Sequence, residues 1–173
     1  MQGLRARLDA TGRALEAQPD NLAPRASQLV RLAREQERRI EELTQRLAER
    51  EAEMLVRTAD AVDSMVVVAD QIAADSAAFL EATTDAVRSR LDRGIVVLAS
   101  VVDQNPQFRM AVTKNLTSEG YDAKQLLNDA LRTHGAGGAG GQAWFARGGG
   151  RDASKVPDVL HTAVDLIRQR AEG

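Results

Sequence analysis

The residues best placed to do chemistry lie in the last quarter of the chain. Residues 134–141 read His-Gly-Ala-Gly-Gly-Ala-Gly-Gly, and residues 148–150 are three consecutive glycines. Glycine accepts positive φ and lets backbone N–H groups come close to an anion. The second run leads into a helical pattern whose opening carries Arg151 and Lys155. A helix N-terminus with two cations is one arrangement that holds phosphate. The same glycines also read as tight turns around an edge strand, or as a flexible linker. No Gly-Lys-Ser or Gly-Lys-Thr closes either run, so a P-loop is excluded. The order of strand and helix does not fit a dinucleotide fingerprint.

Other chemistries are limited by composition. Cys is 0 and His is 2, which excludes thiol nucleophiles, disulfides and Cys- or His-rich metal sites. No spacing favours a Ser–His–Asp arrangement, and neither a catalytic residue nor a cofactor is expected. The formal net charge is -2, so a nucleic-acid site would have to be a local patch. No apolar run approaches ~18 residues, so no membrane span is expected. There is no charged-then-apolar leader pattern, and a cytoplasmic protein is the expectation.

The elements that must position these residues follow from periodicity. The expected fold class is α+β: a helical, coiled-coil arm over residues 1–57, then a small α/β domain over 58–173 of order β-α-β-β-α-β-α. The arm holds 11 Arg, no Lys and 10 acids, with almost no β-branched residues. Beyond it Val, Ile and Gly rise. Strands are expected at 64–69, 95–102, 108–113 and 142–147, and helices at 75–91, from Asp122 to Leu131, and 153–170. Asp75 or Ser76 is the expected cap of the first of these helices, with Ala78, Phe79, Ala82, Ala86, Val87 and Leu91 as its inner face. The nearly continuous apolar run 95–102 implies burial on both faces. Residues 103–106 and 148–150 read as turns.

Within the arm, Leu22, Ala26, Leu29, Ala33, Gln36, Ile40, Leu43 and Leu47 recur at spacings of 4, 3, 4, 3, 4, 3 and 4. That is a heptad seam. Its flanks alternate Arg and Glu, which suits a solvated coiled-coil face better than an RNA surface. A single helix cannot bury its own seam, and a short first helix carrying Leu4, Leu8 and Leu15 covers only part of it.

Residues 94–160 resemble the C-terminal domain of alanyl-tRNA synthetases, within the wider DHHA1 family. The resemblance rests on several motifs in order. They are Gly94-Ile95-Val96-Val97-Leu98-Ala99-Ser100 with Val102-Asp103, then Val112-Thr113-Lys114-Asn115-Leu116-Thr117. Gly140-Gly141, Ala146, Gly148-Gly149, Asp152 and Lys155 follow. The family commonly reads Gly-Gly-Arg-Pro-Asp-Met-Ala-Gln-Gly-Gly at the glycine motif. Here Gln142 and Trp144 stand in place of its Arg and Asp, and Arg147 in place of its Gln. The glycine backbone role therefore carries over, and the Arg–Asp side-chain role does not.

The resemblance implies a non-catalytic module that grips the elbow of tRNA and supports aminoacylation and editing. Its implied partners are tRNA and the catalytic and editing domains of a synthetase. The expected tRNA-binding residues are Gly140, Gly141, Gly148 and Gly149, whose backbone role the resemblance implies, and Lys114, Trp144, Arg147, Arg151 and Lys155, read from this sequence as a local positive patch with one exposed aromatic. Trp144 and Phe145 are adjacent on a strand, so one faces the core and the other can stack on a base. His134 reads either as a helix C-terminal cap or as a phosphate contact, and His161 as a surface residue. Two other readings stay open: the nucleic-acid-binding module of a DHH-type phosphoesterase, and a coiled-coil dimeriser without RNA binding.

The seam predicts a homodimer through Leu22, Leu29, Ile40, Leu43 and Leu47. Sedimentation velocity at micromolar concentration should give twice the chain mass of 18.7 kDa. A single monomeric boundary would refute the pairing.

Overall fold

The computed structural model describes residues 7, 10–16, 18 and 21–172. Leu4 and Leu8 lie outside the described residues; Leu15 is half-buried. The chain divides into compact units Met1–Leu43 and Thr44–Gly173. Helix α1 spans Leu22–Arg57 and continues through both. In the first unit Ile40 and Leu43 are exposed, and Leu22 and Leu29 are half-buried.

The second unit is a six-stranded sheet with helices on both faces. In chain order it contains β1 Asp60–Val62, β2 Met65–Gln71, α2 Ala77–Ser89, β3 Gly94–Val102 and β4 Asn105–Val112. Then come α3 Lys114–Ser118, α4 Ala123–Thr133, β5 Gly138–Gln142, β6 Phe145–Gly149 and α5 Val156–Glu172. The strands lie side by side as β1-β2-β3-β4-β6-β5. Only β2 and β3 pair in parallel, across the α2 crossover. The fold is α+β, and it has more elements than the seven expected from periodicity.

Strand β3 explains the layering. Ile95, Val96, Val97, Leu98 and Ala99 are all fully buried, so each face of the sheet must be covered. On one face Ile95, Val97, Phe108, Met110 and Val112 meet Leu127, Leu131 of α4 and Val159, Ile167 of α5. On the other face Val96, Leu98, Ala111 and Phe145 meet Leu80 and Val87 of α2, with Ala52 and Leu55 of α1.

Local chemistry sets the ends of these elements. Ser76 caps α2, accepting the Phe79 N–H at 3.2 Å, and Asp122 caps α4, accepting the Gln125 N–H at 3.0 Å. Asp103 and Gln104 both have positive φ, 50° and 65°, and join β3 to β4 as a two-residue hairpin turn. The expected turn therefore shrinks to those two residues, and β4 starts at Asn105 instead of Phe108. The inner face of α2 is also corrected. Leu80, Thr83, Thr84, Ala86 and Val87 are buried, whereas Ala78 is exposed. Thr83 and Thr84 can face inward because their hydroxyls donate to Phe79 O and Leu80 O, at 2.9 and 2.7 Å.

The largest difference lies at the glycines. Of the run 134–141, residues 134–137 are the expected turn and loop, but residues 138–141 lie in strand β5, and Gly148 and Gly149 belong to strand β6. The turn between them is Ala143-Trp144, because Gln142 pairs with Phe145. Glycine weakens an isolated strand, but here the ladder from β5 to β6, the ladder from β6 to β4 and the packing of α4 supply what the side chains do not. A Cβ at Gly148 would lie 2.5 Å from Leu131 Cδ1, so the missing side chain is what lets α4 settle on the sheet. Gly141 has φ +138°, and a Cβ there would fall 2.4 Å from Phe145 O.

Its neighbour Gly140 faces open space, with nothing within 4 Å of a built Cβ. Two adjacent glycines in one strand therefore have opposite tolerances. Gly141→Ala should destabilise the domain by about 1–3 kcal/mol through backbone strain and overpacking. Gly140→Ala should stay within about 0.5 kcal/mol of the parent. Urea unfolding of the two variants reads the contrast directly, and equal midpoints would contradict it.

Candidate nucleic-acid interface

The nine site residues expected from sequence do not converge on one patch. They divide along β4 and its partner β6, which pair antiparallel from Gln107↔Gly149 to Ala111↔Phe145. An eight-residue strand is ~24 Å long between its end residues, and each end carries a different group.

At the C-terminal end of β4, Val112 N–H donates to Trp144 O at 3.0 Å, and Lys114 opens α3 just beyond. Trp144 is 45% exposed and Phe145 is 7% exposed, so the tryptophan is the outward member of the pair. Its ring is held from two sides. The Arg88 guanidinium lies 5.4 Å from the ring centroid, and the indole N–H donates to Gln142 Oε1 at 2.9 Å. The cation–π contact and the hydrogen bond reduce the ring's freedom before any ligand arrives. Lys114 and Arg88 line the same open cleft with Thr113 and Asn115.

At the other end, Gly149, Gly150, Arg151 and Asp152 line an open cleft with Pro106 and Gly137. The phosphate site expected there at the start of the last helix is already used by the chain. Asp152 Oδ1 accepts the Ser154 N–H at 3.0 Å and its hydroxyl at 2.6 Å. These two donors hold the Asp152 carboxyl below its ordinary range. A short 3₁₀ turn, Ala153–Lys155, precedes α5, so Lys155 sits inside the structured turn. Its ammonium donates to His134 O at 2.6 Å and so closes the C-terminal end of α4. Lys155 is thus a helix-capping cation here, and Arg151 is the exposed one.

Between the two ends lies the outer face of β4, β6 and β5. Arg147 is 61% exposed but paired. Its Nε and Nη2 donate to Glu81 of α2 at 3.0 and 2.6 Å, which strengthens its hold on its proton. Arg109 stands opposite Arg147 in the ladder and shares the same carboxylate at 3.7 Å. Burial works against its charge, and neighbouring Arg147 adds to that. Sequence reading missed Arg88, Glu81 and Arg109. Arg109 sits in an apolar strand at an inward position, and only the register places it opposite Arg147.

Gly140 opposes Arg147 on β5 and is open to solvent, whereas Gly141 and Gly148 are close-packed. His134 caps α4 and its Nε2 lies 2.8 Å from the Thr162 hydroxyl, so the capping alternative describes it. His161 is exposed beside Asp165 at 3.4 Å. Among the described residues no three His, Asp or Glu side chains are grouped to hold a metal ion. No described helix is long and apolar enough to cross a membrane.

With this geometry in place, known proteins supply the context. Three alanine–tRNA ligases are similar over nearly all of this chain. That of Geobacillus thermodenitrificans is 34% identical over 153 residues, 88% of this chain and 17% of its own length. That of Roseiflexus sp. is 31% identical over 96% of this chain and 18% of its own length. That of Halorhodospira halophila is 35% identical over 97% of this chain and 19% of its own length. The chain therefore spans less than a fifth of these relatives. The crystal structure of the C-Ala domain from Aquifex aeolicus alanyl-tRNA synthetase superposes with TM-score 0.56 at 25% identity. It covers 67% of this chain and 99% of the Aquifex domain. The DHHA1 domain family matches residues 63–169, which is β2 to α5 with the hairpin turn before β2. The chain belongs to the DHHA1 domain family.

Proposed function

We propose that this chain is a non-catalytic tRNA-binding module of, or derived from, an alanine–tRNA ligase, and that it binds the tRNA elbow. The ligases it resembles act on tRNA, and its likeness to them runs through both the arm and the sheet domain. The observation that carries the reading is the exposed, pre-positioned indole of Trp144 with Arg88 and Lys114 beside it. An aromatic platform flanked by cations suits a base exposed at a corner of RNA. The sheet offers no long basic groove and no recognition helix, so shape and stacking fit it better than sequence readout. The tRNA elbow presents such a corner. Within a complete ligase, this grip would hold one tRNA for the aminoacylation and editing domains.

The arm supports a second part of the reading, self-association. Ile40, Leu43, Leu47 and Met54 are 64%, 43%, 57% and 64% exposed. In the second unit α1 buries Ala48, Ala52 and Leu55 instead, one position around from Leu47 and Met54. The seam from Ile40 to Met54 is thus left free for a second copy of the helix, whereas Leu22 and Leu29 are half-buried.

Three RNAs separate the possibilities: an alanine tRNA, an unrelated elongator tRNA and a minihelix without the elbow. The two full tRNAs should bind alike and the minihelix weakly. Full binding to the minihelix would move the site to the acceptor arm. Trp144→Ala should weaken full-tRNA binding about 5- to 100-fold, the worth of one stacked base. Unchanged affinity in that variant would remove Trp144 from the interface. Charge reversal at Arg151 should lower affinity less and flatten the salt dependence by about one phosphate contact.

A further inference from the structure

We propose that the outer face of the β4–β6 pair is an anion site for one RNA phosphodiester, built on Arg109 and Arg147 with Glu81 as its resident competitor. The identity of the ligand rests on the tRNA-binding reading above. The site itself rests on geometry that does not depend on that reading.

Arg109 and Arg147 are directly opposed on antiparallel strands, so both side chains leave the same face. Two guanidinium groups meet one carboxylate there. Arg147 holds Glu81 through both oxygens, at 3.0 and 2.6 Å. A guanidinium grips carboxylate and phosphate with this same two-pronged geometry, so Glu81 occupies the place a phosphate would take. Arg109 is left short. Its Nη atoms donate to Phe108 O and Gln107 Oε1 on its own strand, at 2.9 and 3.3 Å. Its Nε is buried and has no hydrogen-bond partner, 3.7 Å from Glu81 Oε2. The Arg109 side chain is only 7% exposed, so water does not make up the deficit.

The charges do not balance either. Three arginines, Arg88, Arg109 and Arg147, meet two carboxylates here: Glu81, and Asp85, which pairs with Arg88 at 3.2 Å and also acts on Arg147. The excess is one positive charge, and a phosphodiester brings one negative charge. The approach is open as well. Gly140 faces the same side opposite Arg147 and carries no side chain to roof the site. Glu81 is 32% exposed and can turn to water when displaced. An arriving phosphate would contact exposed Arg147 first, exchange with the carboxylate, and then satisfy Arg109 Nε. Until then Glu81 keeps both arginines in place.

The test uses the full chain with two probes, an elongator tRNA across a salt series and inorganic phosphate. The readouts are affinity and the NMR signal of the Arg109 Nε–H. Glu81→Gln keeps the shape and removes the competing charge. It should raise tRNA affinity about three- to tenfold and steepen the log–log salt slope by ~0.7–0.9, one added phosphate contact. Inorganic phosphate should then shift the Arg109 Nε–H signal. Glu81→Gln/Arg109→Lys has the same net charge as Glu81→Gln and should lose the gain, since lysine cannot present the fork. Asp165→Asn on α5, across the sheet, removes one negative charge and should leave the slope unchanged. In the parent chain, saturating tRNA should itself move the Arg109 signal, which reads the site without any substitution.

A Glu81→Gln variant with parental affinity, parental slope and an Arg109 signal indifferent to phosphate would overturn the site. The tRNA reading would survive that outcome if Trp144→Ala still weakened binding. Conversely, a phosphate-induced shift with no binding of either full tRNA would keep the anion site and remove RNA as its ligand.

Discussion

From Gly94 to Ser100, strand β3 has no side that faces water, and Val101 near its end is its one exposed residue. Five consecutive residues, Ile95 to Ala99, are fully buried. Each apolar side chain of that size gains roughly 1.5–3 kcal/mol on leaving water, and the alternation of a strand sends successive ones to opposite faces. Helices must therefore cover both sides of the sheet centre. That requirement draws α4 and α5 to one face and α2 with the end of α1 to the other. The outer strands inherit what is left over. At the β6–β5 edge the second face is only partly covered, and there Arg147, Gly140 and Trp144 reach solvent.

The glycine hairpin is the counterpart of that core. Its backbone is shaped by packing on one side and by exposure on the other. Gly148 admits Leu131 of α4, and Gly141 adopts a backbone angle closed to other residues. The same strand leaves Gly140 open on the face that carries Arg147. A run of glycines is thus divided between holding a helix close and keeping a surface bare. This division explains how a segment poor in side chains can still be a well-paired strand.

Electrostatics on this domain are local. Arg93 grips Glu119 with both arms of its guanidinium and ties the β3 start to the end of α3. Arg90 reaches Glu49 of α1 with one arm and donates the other to Ala86 O of α2 at 2.8 Å. Such exposed pairs add little stability, and their arrangement matters more for which cations stay available. Lys155 and Arg147 both spend their charge inside the chain, on His134 O and Glu81. Lys114 and Arg151 extend to solvent at opposite ends of β4. A near-neutral chain therefore presents separate small cationic points in place of a continuous basic surface.

The sequence by itself determined the α+β class, the arm helix, the doubly buried β3, the Asp122 cap and the family motifs. Those signals are local: a heptad spacing, an apolar run, a capping residue. It also offered Trp144 and Phe145 as one inward and one outward aromatic on a strand, whereas Trp144 faces out because it sits in the turn between β5 and β6. What it could not determine was which glycines are strand, because glycine's propensity runs against strands and the ladder that holds β6 to β4 joins residues far apart in the chain. Nor could it show that Arg109 opposes Arg147 over a single carboxylate from α2, or that Lys114 and Arg151 lie a strand length apart. Register and crossover decide those distances, and both are set by how the two faces of β3 are covered. The arm leaves the same division visible. Its seam is plain in the spacing, yet only the packing of Ala48, Ala52 and Leu55 decides that Leu47 and Met54 remain exposed.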